Sequence, residues 1–313
     1  MLEPSPRHGH RNGSPPRQSA SASALNLLRD LIVQRTGVYY NDTKRDQLEE
    51  RVGELTAARG LPSLLDYYYL LRYDPDAETV WRELMDRLAV PETFFWRQPE
   101  QFEALVDEIV PRHLAERPGR PLRIWSAACC SGEEPLTIAM ALEEGGWFGR
   151  LPVEIVASDA SPALVARARA GVYGDRSLRN VSPERRARWF TREGAGWRID
   201  RALHARVRWT TANLLDEAEA GPLAHADVVF CRNVFIYFSD DAVRRVARML
   251  VARMPPTGWL FLSASESLMR LTTDFAMTEV GSAFAYVPNP GAGAQAGAEP
   301  PRRPAVSPLD QRS

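Results

Sequence analysis

The chain has 313 residues, enough for one large domain or two ordinary ones, and 39 Lys+Arg against 40 Asp+Glu leave a net charge of −1. Nothing in that balance suggests a polyanion partner, no apolar run is long enough to span a bilayer, and no secretory signal is expected from the first residues. Three cysteines, Cys129, Cys130 and Cys231, make no disulfide framework and read as small buried residues, and the five histidines show no ligand spacing, so no metal site is expected.

Residues 1–23 are rich in Ser, Pro, Arg and Gly, lack periodicity, and are expected to be disordered. From Ala24 the pattern changes. Leu25, Leu28, Leu31 and Ile32 recur at helical spacing, and Asn41-Asp42-Thr43 precedes a second helix with Leu48, Val52 and Leu55. Gly60-Leu61-Pro62 breaks it, and Ser63 is placed to cap a third helix over 64–72. A fourth runs from Ala77 to Leu88 through Val80, Trp81 and Leu84. These elements predict a small helical domain over 24–96 with a solvated outer surface. Its end, Val90-Pro91-Glu92-Thr93-Phe94-Phe95-Trp96, sets three aromatics before Arg97. Phe95 and Trp96 read as a hydrophobic staple between domains. Arg97, beside apolar rings, reads as a partly buried cation with an anionic partner. A linker helix over 97–118, through Phe102, Leu105 and Ile109, follows.

Leu122-Arg123-Ile124-Trp125 is an apolar run of the kind that makes a buried strand. It passes through small residues over 126–132, then Glu133, Glu134 and Pro135, into a helix through Ile138, Ala139 and Leu142. Pro135 suits a first helical turn, because its missing N–H has no partner there. The glutamates lie where the helix dipole favours anions. A strand, a tight small-residue turn and a helix start are the opening of a nucleotide-binding α/β sheet, in which backbone approaches a ligand closely. There is no GxxxxGK[ST], and paired glutamates would repel a pyrophosphate. Carboxylates at such a turn suit a ligand with hydroxyls and positive charge, and S-adenosylmethionine, with its ribose, ammonium and sulfonium, answers that description. The plainer alternative is an ordinary turn with solvated glutamates.

Residues 153–158 read as a second strand ending in Asp159, where such folds bind ribose hydroxyls. The alternative is that Asp159 or Ser161 caps the helix that follows Pro162. The alternation of strand and helix breaks over 173–206, with a short charged helix near 183–190 and Gly194-Ala195-Gly196 between candidate strands. This predicts a small inserted subdomain. Residues 207–211 resume the sheet and lead to Asn213 and Leu214. Residues 226–231 form the clearest buried strand and run into Arg232-Asn233-Val234-Phe235-Ile236-Tyr237-Phe238. Polar residues just beyond the carboxyl end of a central strand lie in the ligand crevice. A helix over 240–254, a strand over 259–264 and a hairpin over 275–287 complete the sheet, and 288–313 is a second tail expected to be disordered.

Together PETFFWR (91–97), SAACCSGEEP (126–135), ASDAS (157–161), ANLL (212–215), FCRNVFIYF (230–238) and LFLSASESL (260–268) resemble, in order and spacing, the chemotaxis receptor methyltransferases of the CheR type. The resemblance covers about 25–287, and the FCRNVFIYF and GEEP pair is far more specific than a lone GxGxxG. It implies an α/β fold: a Rossmann-like S-adenosylmethionine-dependent methyltransferase domain over 119–287, with an inserted small β-subdomain, behind a small all-helical N-terminal domain. It implies a protein-glutamate O-methyltransferase that moves a methyl group from S-adenosylmethionine to glutamate side chains of methyl-accepting chemoreceptors in sensory adaptation, leaving S-adenosylhomocysteine. By motif position, Thr93, Arg97, Glu133, Asp159, Asn213, Leu214, Arg232 and Asn233 bind the cofactor. Arg97 and Tyr237 flank the transferred methyl as the catalytic pair; the residues alone leave cofactor binding open for Arg97 and core packing for Tyr237. The implied partner is the cytoplasmic domain of a chemoreceptor, with no nucleic acid and no membrane insertion, and the chain is expected to be a cytoplasmic monomer. Pro91 stands where many members carry an asparagine that touches the cofactor, so that contact is expected to be lost; Trp96 and Leu136 replace a phenylalanine and a tyrosine.

Overall fold

A computed structural model describes residues 16–289. Helices α1 (Pro16–Thr36), α2 (Arg45–Ala58), α3 (Leu64–Tyr73) and α4 (Ala77–Leu88) close around one apolar cluster that includes Leu28, Ile32, Leu48, Val52, Tyr67, Trp81 and Leu84. Ser63 caps α3 by accepting from the Asp66 N–H. Helix α1 corrects the expected N-terminal tail: residues 16–23 are helical, because the run 18–24 holds no glycine or proline to stop propagation back from the buried Leu25–Ile32 face. The rest of both expected tails, 1–15 and 290–313, lies outside the described residues.

Phe95 and Trp96 do not staple the domains together. They are 0 % and 5 % exposed within the second domain's core. The Phe95 ring meets Tyr173 and Phe190 edge-on at 4.9 and 5.1 Å, and Trp96 meets Phe102 at 5.9 Å. The helical domain's cluster therefore ends at Leu88, earlier than the expected boundary at 96. Nor is 97–118 a linker. Helix α5 (Pro99–Ala104), a π-helical turn (Leu105–Ile109) and α6 (Val110–Glu116) bury Phe102, Leu105 and Ile109 in the same core.

The second domain then runs β1 (Leu122–Ala127), α7 (Glu133–Glu144), β2 (Val153–Asp159), α8 (Pro162–Ala170), β3 (Val172–Tyr173), α9 (Pro183–Trp189), β4 (Phe190–Glu193), β5 (Gly196–Ile199), α10 (Arg201–His204), β6 (Val207–Thr211), α11 (Glu217–Ala220), β7 (Val228–Phe230), α12 (Asp240–Arg253), β8 (Trp259–Phe261), β9 (Phe275–Val280) and β10 (Ala283–Pro288). Seven strands form one sheet in the order β6-β2-β1-β7-β8-β10-β9, and β3, β5 and β4 form a small separate one. The large sheet is parallel until β10, which pairs antiparallel with β8 and β9. Alternate residues feed two cores: Ile124, Val228, Phe230 and Phe261 on one face, Trp125, Ala127, Val229 and Leu260 on the other. Burial on both faces explains why β1 and β7 read as continuous apolar runs.

Strand order reverses at β1 and β7, which opens a crevice at their carboxyl ends. The helical domain docks over it. Val38 bridges Phe238, the Tyr39 N–H donates to the Tyr237 carbonyl at 2.7 Å, and the Ser239 N–H donates to the Gly37 carbonyl at 3.0 Å. Gly37 is required here: at φ +78° a Cβ would lie 3.0–3.1 Å from Phe238, Ala242 and Leu215. Asp86 of α4 accepts from Ser161 Oγ (2.5 Å) and the Ala163 N–H (3.0 Å) at the start of α8.

Candidate active site

The carboxyl ends of β1, β2, β6 and β7 open into a cleft roofed by the helical domain. Seven of the eight expected cofactor residues line it, namely Thr93, Arg97, Asp159, Asn213, Leu214, Arg232 and Asn233, together with Tyr237 and the turn Ala128-Cys129-Cys130. Glu133 does not. Its carboxylate is 2 % exposed and turned away, accepting from Ser131 Oγ and Ser177 Oγ, both at 2.8 Å. Glu134 faces the cleft instead. Successive helical residues point about 100° apart, so only one of two adjacent glutamates can face a ligand at the start of α7. Glu134 accepts from Ser126 Oγ at 2.7 Å and pairs with Arg232 Nη1 at 3.2 Å. Burial raises the pKa of both carboxyls; Arg232 draws Glu134 back, and the serine hydroxyls draw Glu133 back.

Arg232 is the buried cation with an anionic partner that was expected at Arg97. Its side chain is 2 % exposed, and Nη2 donates to the Arg97 carbonyl and, at 2.9 Å, to Gln98 Oε1. Burial lowers its pKa, with Glu134 acting against that. Its Nε is buried without a partner. Arg97 itself is half-buried, donates to the Glu92 carbonyl at 3.2 Å and lies 5.5 Å from the Phe94 ring centroid. Among the described residues no carboxylate pairs with it. Tyr237 sits at the same cleft with Lys44 Nζ 5.9 Å from its ring, and burial raises its phenol pKa.

Asp159 braces the small-residue turn. Its Oδ2 accepts from the Cys130 N–H and its Oδ1 from the Ser161 N–H, both at 2.9 Å. The cap of α8 is Ser161, whose side chain accepts from the Leu164 N–H. The capping alternative thus falls to Ser161, and Asp159 stays at the cleft. Burial raises its pKa while the two N–H donors lower it. Cys129 and Cys231 are buried as expected, but Cys130 is only half-buried because its turn faces the cleft. Burial and the nearby Asp159 push its thiol up to about 12, so it stays protonated and is no nucleophile.

Asn213 is committed to the domain interface: its Nδ2 donates to the Arg35 carbonyl at 2.8 Å, and its Oδ1 accepts from the Leu215 N–H. Asn233 holds a left-handed conformation, φ +60°. The five non-glycine residues with positive φ among those described are Trp96, Gln98, Ala128, Cys130 and Asn233, all in the cleft's lining or beside Arg97. Such strain persists only where the surroundings over-determine it. At Asn233 the brace is Glu266. Its Oε2 accepts from the Asn233 N–H, the Ser263 N–H and Ser263 Oγ, and its Oε1 from the Phe235 and Ile236 N–H groups. Glu266 goes unnoticed in the sequence although it lies in the LFLSASESL motif, and Glu134 figures there only as one of the paired carboxylates at the turn, with Glu133 as the expected cofactor residue.

The residues suit S-adenosylmethionine. A strand-end carboxylate can accept from ribose hydroxyls, a carboxylate beside a guanidinium offers partners to an amino-acid end, and an orphaned buried donor on Arg232 calls for an anionic group. The fold and cleft define a Rossmann-like methyltransferase with S-adenosylmethionine as its cofactor: residues 91–284 match the family described as CheR methyltransferase, SAM binding domain. Residues 23–89 match the CheR methyltransferase all-alpha domain, and the chain belongs to the CheR methyltransferase family. It is similar to chemotaxis protein methyltransferase 2 of Vibrio cholerae, 32% identical over 79% of this chain and 86% of the relative. It is 33% identical to chemotaxis protein methyltransferase 1 of Pseudomonas aeruginosa, over 86% of this chain and 98% of the relative. Chemotaxis protein methyltransferase 1 of Vibrio cholerae is 35% identical over 82% and 93%.

Proposed function

We propose that this methyltransferase is a protein-glutamate O-methyltransferase acting on the cytoplasmic domain of a methyl-accepting chemoreceptor, and that it works in the cytoplasm. The observation that carries the reading is that, among the described residues, no free general base lines the cleft. None of the described histidines lines it; Glu134 is paired with Arg232, Asp159 with two amides and Glu92 with Arg176. A hydroxyl acceptor would need such a base, whereas a glutamate is already ionised, with a reference pKa of about 4.3. The chemotaxis protein methyltransferases that the chain resembles agree in kind. Among the described residues no helix is long and apolar enough to cross a membrane.

In this reading Asp159 accepts from the ribose hydroxyls, and Glu134 and Arg232 hold the amino-acid end, in place of Glu133. Thr93, Asn213, Leu214 and Asn233 complete the lining. Bound S-adenosylmethionine supplies an electrophilic methyl group. Arg97 offers its remaining planar donors to the substrate carboxylate, and Tyr237 packs beside the reacting group. The helical roof excludes water, and a low-dielectric site favours a step in which opposite charges cancel.

The test is Arg97→Lys, which keeps the charge but loses the planar fork. Single-turnover transfer to receptor-containing membranes should fall by about 10²-fold, the cost of a small misplacement of reacting groups. S-adenosylhomocysteine binding should survive. A normal single-turnover rate with weak cofactor binding would reassign Arg97 to the cofactor.

A further inference from the structure

Arg97 is carried on backbone that should not hold its shape unaided. It lies between two left-handed residues, Trp96 at φ +59° and Gln98 at φ +58°. A bulky indole in that conformation is a true outlier, and release of either residue would swing Arg97 off the cleft. The Gln98 side is tied down by Arg232, which donates to the Arg97 carbonyl and to Gln98 Oε1. The Trp96 side is tied down by helix α7 at two levels. In its first half, Thr137 Oγ1 accepts from the Trp96 N–H at 3.2 Å. At its last residue, Glu144 holds the guanidinium of Arg185 by Nε at 3.1 Å and Nη2 at 2.9 Å, and also accepts from Trp189 Nε1 at 3.0 Å. That guanidinium lies 3.6 Å from the centroid of the Trp96 ring.

Arg185 belongs to α9, within the inserted subdomain, and touches neither the cleft nor Arg97. The Trp96 indole N–H has no partner, so the ring is fixed by its edge contact with Phe102 and by Arg185 over its face. We propose that Arg185 is a positioning residue for methyl transfer: clamped by Glu144, it presses the Trp96 indole in place and so holds Arg97 in register with the cofactor turn from which α7 starts. The planar fork is what the role needs, because it meets a carboxylate edge-on while presenting a flat face to an indole. The proposal rests on the reading of Arg97 as the residue that aligns the substrate.

The experiment compares Arg185→Gln, Arg185→Lys and, as control, Arg188→Gln, whose arginine is exposed and stacks only on Trp189. Hydrogen exchange over residues 93–99 of the full chain without cofactor reads the clamp directly. It should speed by about tenfold in Arg185→Gln, the scale of losing one charge-assisted contact, and be unchanged in the control. Single-turnover transfer to receptor-containing membranes at saturating S-adenosylmethionine should fall about tenfold in Arg185→Gln, with KM for the membranes and S-adenosylhomocysteine affinity preserved. Arg185→Lys should recover only part, since it loses the fork. Unchanged exchange would overturn the clamp, whatever the activity. Faster exchange with an unchanged transfer rate would keep the clamp and overturn its role in positioning Arg97. Faster exchange spread over the whole chain, with cofactor affinity falling in step, would mean that Arg185 only stabilises the fold, and would also overturn the proposal. If wild-type protein transfers no methyl to the membranes, it is the glutamate reading that fails, and the exchange result still decides the clamp.

Discussion

Replacing Glu133 and Glu134 singly by glutamine separates a structural carboxylate from a ligand-facing one. Glu134→Gln leaves the buried Arg232 guanidinium with the Arg97 carbonyl and Gln98 Oε1 as its acceptors and no counter-charge. Breaking a buried ion pair from one side costs about 3–5 kcal/mol. Two acceptors survive, so the lower end applies, and about 3 kcal/mol corresponds to a fall of roughly 5 °C in Tm for a chain of this size. Affinity for S-adenosylhomocysteine should drop at least about tenfold with it. Glu133→Gln is a different perturbation. Its partners are the hydroxyls of Ser131 and Ser177, which can rotate to accept from an amide, and the substitution removes a charge that burial disfavours. Stability should move by less than about 1 kcal/mol and affinity by less than about threefold. Differential scanning and isothermal titration calorimetry give both numbers. Weakened binding at unchanged Tm in Glu133→Gln, with normal binding in Glu134→Gln, would refute the orientation of the turn.

Asp159→Ala removes the acceptor proposed for the ribose and should cost about 1.5–3 kcal/mol of S-adenosylhomocysteine affinity; equal affinity in a folded variant would restrict Asp159 to bracing the turn. Burial holds the Asp159 carboxyl above its ordinary range, so the ionised group lowers folding stability above that range, a cost that vanishes as pH falls below the unfolded value. Binding runs the other way: affinity should weaken as pH falls through the raised pKa, and Asp159→Asn should flatten that profile in titrations at several pH values. Glu266→Gln forfeits two or three of five donors and should cost about 2–4 kcal/mol in denaturant unfolding, with faster exchange over 233–236; a stability change within experimental error would show that Asn233 keeps its conformation without this brace.

Much of the architecture was legible because periodicity and burial coincide. Helices α2 to α4 and strands β1, β2, β6 and β7 fall where apolar spacing put them, since each buries its pattern in one of three cores. What failed turned on local geometry that spacing cannot carry. Two adjacent glutamates are equivalent in a sequence; only the folded turn shows Glu134 at the cleft and Glu133 held away from it by Ser131 and Ser177. Arg97 follows three aromatics and Arg232 lies between Cys231 and Asn233, and the ion pair goes to the one at the end of a central strand, where Glu134 waits. Three aromatics before an arginine looked like a surface to be covered by another domain. Phe95 and Trp96 instead turn back into their own domain, through a left-handed residue that no propensity favours. Glu266 carried no role in the sequence beyond its motif, and only the fold brings the Asn233, Phe235 and Ile236 N–H groups to it beside Ser263.

In the proposed reaction the methyl group ends on a glutamate carboxylate of a receptor. The direct measurement is incubation of the protein with methyl-labelled S-adenosylmethionine and receptor-containing membranes, followed by mild base. Label is expected on a receptor band and should leave as methanol under base, as a glutamyl methyl ester must. Base-stable label, or label on a small molecule with none on the membranes, would contradict it.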